Sequence, residues 1–381
     1  MQSIAVPLSR SSNAHVTSRT SIADLIATLS ESEARDNPDE VASAACLHMV
    51  DADHLATPAG GEYRLNEWSR QQLARLLGVR WERWFENADG KAVADEINCR
   101  LRRTEGELRL RTRRRLDGTI RKRRARATEL RDRALASHRA ARNVKPEPTS
   151  APGAGWRTDT HELRALVSPR FTAIQDSAIV AAIGESIAGD VPVLRVAVTE
   201  RTSTIMLGMG QPYRPGGDGC VGDLWGSLLL RNSGTGYAAL ACHLSLLRLA
   251  CLNGMVVPHG DAVVLRSVHR GLHLTTIEER LQNRLRDLPM RFRRGGDLLA
   301  LAAGIEVADI DAEIRSFLMN AGLPQRHAIA IRSAYAREPH PSVFGISQSI
   351  TLSAQQLASE ERYELELAAG NYVRERTQLA S

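Results

Sequence analysis

Two arginines stand inside otherwise apolar runs of this chain, and their surroundings limit the chemistry they can do. Arg231 follows LLL and Arg248 follows LSLL. An Arg within a half-buried strand needs an anionic partner or a groove, because an unpaired buried charge is costly. An internal salt bridge to Asp223 or Glu200 meets that need, and so does a bound phosphate, which a guanidinium holds through paired hydrogen bonds. Arg164 upstream and Arg266, His269 and Arg270 downstream extend the same basic character. A sheet with Arg164, Arg231, Arg248, Arg266 and Arg270 on one face would carry a basic groove. Asn232, Ser233, Gly234 and Gly236 form a polar turn after Arg231, and Asn253 precedes a Gly in a second one. Such turns let backbone N–H groups approach a phosphate, and a plain β-turn uses the same residue types.

Charge distribution points the same way. The 381 residues carry 50 Lys+Arg against 44 Asp+Glu, a net charge of +6. Residues 100–145 alone hold +13, which leaves −7 for the remainder. A mildly acidic body with one dense basic segment suggests an anionic partner or a solvated helical face. Within that segment Thr119–Arg142 has no Pro or Gly and reads as a helix, with Arg121, Lys122, Arg123, Arg124 and Arg126 as candidate phosphate contacts. The following NVKPEPTSAPGAGW has the composition of a tether. Residues 100–145 contain no Phe, Trp or Tyr, so stacking on bases cannot come from this segment and its binding would be electrostatic.

Other chemistries leave weaker marks. Cys242, His243, Cys251, His259, His269 and His273 crowd together, but only His269 and His273 have a zinc-pair spacing. There is no GxSxG, HExxH or Walker loop, so no cofactor is expected. A metal-dependent nuclease needs only carboxylates gathered by the fold, and Glu200, Asp218 and Asp223 are its candidates. Five cysteines without a CxxC suggest reduced thiols, and the absence of a signal-like start or a long apolar run suggests a cytoplasmic chain with no membrane partner.

The elements that must hold these residues read as α+β, an antiparallel meander flanked by N-terminal and C-terminal helices, with a basic helix and flexible linker inserted. Residues 1–50 read as a largely disordered or short helical segment, with one amphipathic run at Ile22, Leu25, Ile26 and Leu29. Residues 51–110 read as the helical N-terminal part of the core. Asn66 caps a helix that Gly78 stops, and a second helix, VRWERWFENA, follows it in a spacing that suits either plain packing or a helix-turn-helix. Residues 111–157 are the basic helix and tether. Residues 158–274 alternate as strands, with Val191, Val193, Arg195, Ala197 and Thr199 on one face and a turn near Glu200–Thr202. Residues 275–381 are helical, opening on a capping box at Thr275 and Glu278 and closing on a helix that ends near Gly370.

The segments ELRALVSPRFTAIQD, LLLRNSGTGYAALACHLSLLRLACLNGMVV, VHRG and QQLASEERYELELAAGNYV, with GEYRLNEWSRQQLARLLGV near the N-terminus, resemble the phage/plasmid-like family, a domain of unknown function. The R-N-S-x-x-G-Y, R-L-x-C-x-N-G-M and H-R-G pieces carry most of that resemblance. It implies a phage, plasmid or bacterial origin and no settled activity. Relative to that pattern the basic helix and tether interrupt RLRTRR and HELRALVS, two segments expected to lie close together. The expected function is non-enzymatic nucleic-acid binding by a mobile-element protein, with single-stranded DNA preferred, annealing in recombination or replication as its concrete form, and homo-oligomerisation. A metal-dependent nucleic-acid enzyme and an oligomeric interaction protein are the alternatives.

Overall fold

A computed structural model describes residues 21–79, 89–114, 161–187, 191–215, 221–248, 253–256 and 263–380. The chain forms two compact units, one of residues Ala34–Pro169 and one of the flanking Met1–Glu33 and Arg170–Ser381.

The Ala34–Pro169 unit holds β1 (Glu40–Ser43), β2 (His48–Met49), β3 (His54–Ala56), β4 (Glu62–Leu65), α2 (Glu67–Leu76), α3 (Gly90–Leu101), β5 (Glu107–Arg114) and β6 (His161–Val167). Its sheet runs β1-β5-β6-β4-β3-β2, with β6 parallel to β4 and antiparallel to β5. In β5 the period is two: Leu110 and Thr112 are buried while Arg109, Arg111 and Arg113 fall on the other face. Leu73 of α2 and Val93, Ile97 and Leu101 of α3 complete the core beside Leu110 and Leu163. Buried Asn98 ties α3 to β2, accepting from the Met49 N–H at 2.7 Å and donating to its carbonyl at 3.0 Å.

Two expectations change here. Residues 51–110 are not a purely helical segment, since β3, β4 and the first half of β5 lie within them. The strand at 161–167 does not open the meander; it pairs within this separate sheet because β5, remote in sequence, supplies its antiparallel partner. Arg114 sits opposite His161, so RLRTRR and HELRALVS are adjacent, and the stretch 115–160 joins two paired strands. The basic helix, the tether and all of VRWERWFENA after Val79 lie outside the described residues, although residues 111–114 are strand rather than helix.

The second unit begins with α1 (Ile22–Glu33) and continues through α4 (Asp176–Ser186), β7 (Val193–Val198), β8 (Ser203–Gly208), β9 (Leu224–Asn232), β10 (Leu240–Arg248), β11 (Asn253–Val256) and β12 (Val263–Ser267). Helices α5 (Leu274–Leu285), α6 (Leu288–Ala303), α7 (Ile310–Asn320), α8 (His327–Arg337), α9 (Val343–Ala354) and α10 (Ser359–Ala380) follow. Strands β7 to β11 form an antiparallel meander, and β12 shares the far edge of β10 with β11. This is the α+β architecture expected from the alternation and the flanking helical periods.

Both faces of the meander are covered. Ile205, Leu207, Leu228, Leu230, Cys242 and Leu244 make one face wholly apolar and buried. The other bears Arg195, Thr204, Arg231 and His243 and receives α10. A bulge between Val193 and Arg195 sets these two on opposite faces, so the expected single face from Val191 to Thr199 is divided. Helix α5 begins at Leu274, one residue ahead of Thr275, so the expected capping box does not form. The C-terminal helical run breaks after Ala354, and α10 passes through Gly370.

Candidate nucleic-acid interface

The hydrogen-bond register brings two of the expected basic residues together. Arg231 on β9 and Arg266 on β12 both lie opposite Ala241 of β10, so their side chains share one face on either side of a small residue. Two strand spacings separate them, about 10 Å. Thr204 and Ala197 continue the same row across β8 and β7. Among the described residues neither Arg231 nor Arg266 pairs with a carboxylate.

Arg231 is braced by aromatic rings instead. Its guanidinium carbon stands 4.3 Å from the Tyr363 ring centre and 5.9 Å from that of Tyr237, while Arg201 approaches Tyr237 at 5.6 Å. A cation over a ring keeps its charge and its N–H donors at the ring edge. Arg266 is exposed and Arg231 and Tyr237 are partly so. The cluster is thus Arg201, Arg231, Tyr237 and Arg266 at the β9–β10 turn end of the sheet.

Beneath it the chemistry is buried. Tyr363 of α10 and His243 of β10 meet through Oη and Nε2 at 2.8 Å. Burial, then Arg266 and Arg231, push the His243 pKa down to about 4, so the imidazole is neutral at pH 7. With the proton on Nδ1, Nε2 accepts from the tyrosine. Arg195 holds Glu366 through two parallel bonds of 2.6 and 2.8 Å, and Arg362 Nε donates to the same carboxylate at 2.8 Å. Burial alone would raise the Glu366 pKa, but the two arginines outweigh it and hold the carboxyl below its ordinary range. These contacts lock α10 against the sheet.

The remaining expected site residues are placed elsewhere. Asn232 is buried, with its Nδ2 donating to the Ile174 carbonyl and to Asp176, which also accepts from Ser203. It joins the sheet to the start of α4. The turn that follows is closed on itself: Ser233 and Thr235 donate to the Arg201 carbonyl, Ser233 accepts from the Tyr237 N–H, and Gly236 takes a φ of 75°. That is the plain-turn reading of these residues. Arg248 lies on the face opposite Arg231 and finds its carboxylate in Glu338, not Asp223 or Glu200, while its Nε donates to the Val221 carbonyl at 3.0 Å.

Arg164 belongs to the other unit. It donates to Asp36 at 2.6 Å within a network that includes Arg111, Arg113 and Asp39. Because Arg231 and Arg248 take opposite faces of one sheet, the expected common face of five arginines does not form. His269 is buried, stacked on Phe171 and bonded to the Thr172 carbonyl, while Arg270 is exposed beside it. Asn253 begins β11 opposite Arg248. Arg121, Lys122, Arg123, Arg124 and Arg126 lie outside the described residues.

The other chemistries gain no geometry. Cys242 and His243, adjacent in a strand, face opposite sides, and burial pushes the thiol up to about 12. Asp223 is exposed and paired with Arg214, and Asp218 lies outside the described residues. Among the described residues no three His, Cys, Asp or Glu converge as a metal site requires, and no helix is long and apolar enough to cross a membrane.

Sequence reasoning missed Arg201, Tyr237 and Tyr363 as companions of Arg231. Tyr237 stands within the R-N-S-x-x-G-Y piece, and a hairpin turn there returns it toward Arg231. Nothing local signals Tyr363. No family model, no curated protein and no solved structure matches this chain.

Proposed function

We propose that this chain is a non-enzymatic nucleic-acid-binding protein of a mobile genetic element, with a preference for single-stranded DNA and a role in annealing during recombination or replication. Arg231 and Arg266 hold backbone phosphates beside the partly exposed Tyr237. One observation carries the reading: two arginines without carboxylate partners among the described residues share a row across β9, β10 and β12, beside a partly exposed tyrosine. Arginine beside an aromatic ring is the combination used on single strands, where phosphate contact and base stacking act together. The Arg-rich segment would add sequence-tolerant affinity. The resemblance to the phage/plasmid-like family supports the mobile-element setting, and self-association into a ring or filament is part of the same proposal.

The test is fluorescence anisotropy with single- and double-stranded oligonucleotides over a salt series. Arg266→Gln is the informative variant because Arg266 is exposed and holds nothing else in place. Its single-strand affinity should fall about tenfold, as the loss of a charge-assisted contact implies. The slope of log affinity against log salt should shrink by about one contact. Unchanged affinity and slope in Arg266→Gln would remove the sheet end from the interface.

A further inference from the structure

Away from the arginine cluster, α7 and α10 enclose an open groove of about 590 Å³. On α10 its wall is one continuous helical stripe from Glu364 through Ala368, Tyr372 and Glu375 to Leu379, which at 1.5 Å per residue runs about 22 Å. Phe317 of α7 meets Tyr372 edge-on at 5.6 Å to form the floor. Leu379 at one end is 80% exposed.

The groove's polarity is uneven. Glu313 is spoken for by Arg376, with Nε and Oε1 3.1 Å apart. Glu364 and Glu375 are exposed and have no cation among the described residues. Tyr372 is only 6% exposed, and its hydroxyl lies beside the Glu313–Arg376 pair. Burial and then the Glu313 carboxylate push the phenol's pKa up, so it remains a donor. An apolar floor flanked by two carboxylates that have no cation among the described residues describes a groove suited to a basic, partly apolar occupant.

We propose that this groove receives a basic amphipathic helix of a protein partner. Charge complementarity selects the partner: Glu364 and Glu375 are eleven residues apart on one helix face, about 16 Å. A docking helix with two Arg or Lys at that same spacing meets both. Between them a Leu-sized side chain rests against Ala368 and Tyr372, the usual pattern of a helix laid in a groove. The site is distinct from the arginine cluster and does not depend on the nucleic-acid reading.

The test uses the full chain and two fluorescent alanine-based helical peptides of about 20 residues. One carries two Arg at the spacing of Glu364 and Glu375 with two Leu between them; the other carries Glu in place of Arg. The basic peptide should bind saturably, and the acidic one at least tenfold more weakly. The double variant Glu364→Gln/Glu375→Gln should weaken the basic peptide at least fivefold, and Ala368→Trp, which fills the groove, should abolish binding while leaving the thermal melt in place. Equal binding of the two peptides, indifference to these variants, or occupation of the groove by spermidine while the basic peptide does not bind would each overturn the proposal.

Discussion

His243 is neutral because of what surrounds it. Burial and two nearby arginines lower its pKa to about 4 from the ordinary 6.5. Its folded-state pKa is below its unfolded one, so the unfolded chain takes up the proton first as pH falls. The stability this site contributes is therefore complete above about pH 6.5 and is lost progressively down to about pH 4. A gap of that size corresponds to about 3 kcal/mol. Denaturant melts over this window should show a falling midpoint, and His243→Gln, which keeps an acceptor for Tyr363, should flatten that fall. A wild-type midpoint that does not move between those pH values would contradict the neutral-imidazole assignment. Tyr363 links this site to the surface, since its hydroxyl meets His243 and its ring carries Arg231.

Element boundaries follow local chemistry where side chains bind their own backbone. Asn66 accepts from the Ser69 N–H at 2.7 Å, and Gly78 adopts a φ of 65° just beyond the helix, so α2 starts and stops as its residues demand. Asn66→Ala should destabilise the Ala34–Pro169 unit by about 1 kcal/mol, read from urea unfolding followed by circular dichroism. Within α2 Leu73 is fully buried while Leu76 is 39% exposed, because the helix presents only one side to the sheet. The bulge at Val193–Arg195 had no local mark, yet it turns Arg195 toward Glu366. Helix α10 carries its buried charges as an i, i+4 pair, Arg362 and Glu366. That spacing looks like an ordinary solvent-side ion pair until Arg195 arrives from the sheet.

At the scale of the whole molecule, the stretch 115–160 leaves and rejoins one sheet at register partners, Arg114 and His161. Closing such a pair needs only a short loop. Deleting residues 118–157 should therefore leave the Ala34–Pro169 unit folded, with a thermal midpoint within a few degrees of the intact chain. The same variant separates the two sources of affinity for nucleic acid: under the proposed function it binds single strands more weakly but retains the effect of Arg266→Gln. Loss of all binding on deletion, with the fold intact, would assign the interface to the deleted segment.

The α+β class, the meander of β7 to β10 and the cap and stop of α2 were all legible in the chain, because period, turn residues and caps are local properties. The concentration of positive charge at 100–145 was legible for the same reason. What the tertiary structure decided was partnership. Two arginines with the same apolar surroundings diverge, since strand parity sends Arg231 to the Tyr363 side and Arg248 to Glu338. Arg164 joins another sheet through a strand far away in sequence. Whether a charged side chain ends in an ion pair or beside an aromatic ring depends on which remote residue packs against it. That choice is made by the burial of the whole core, and no window of sequence contains it.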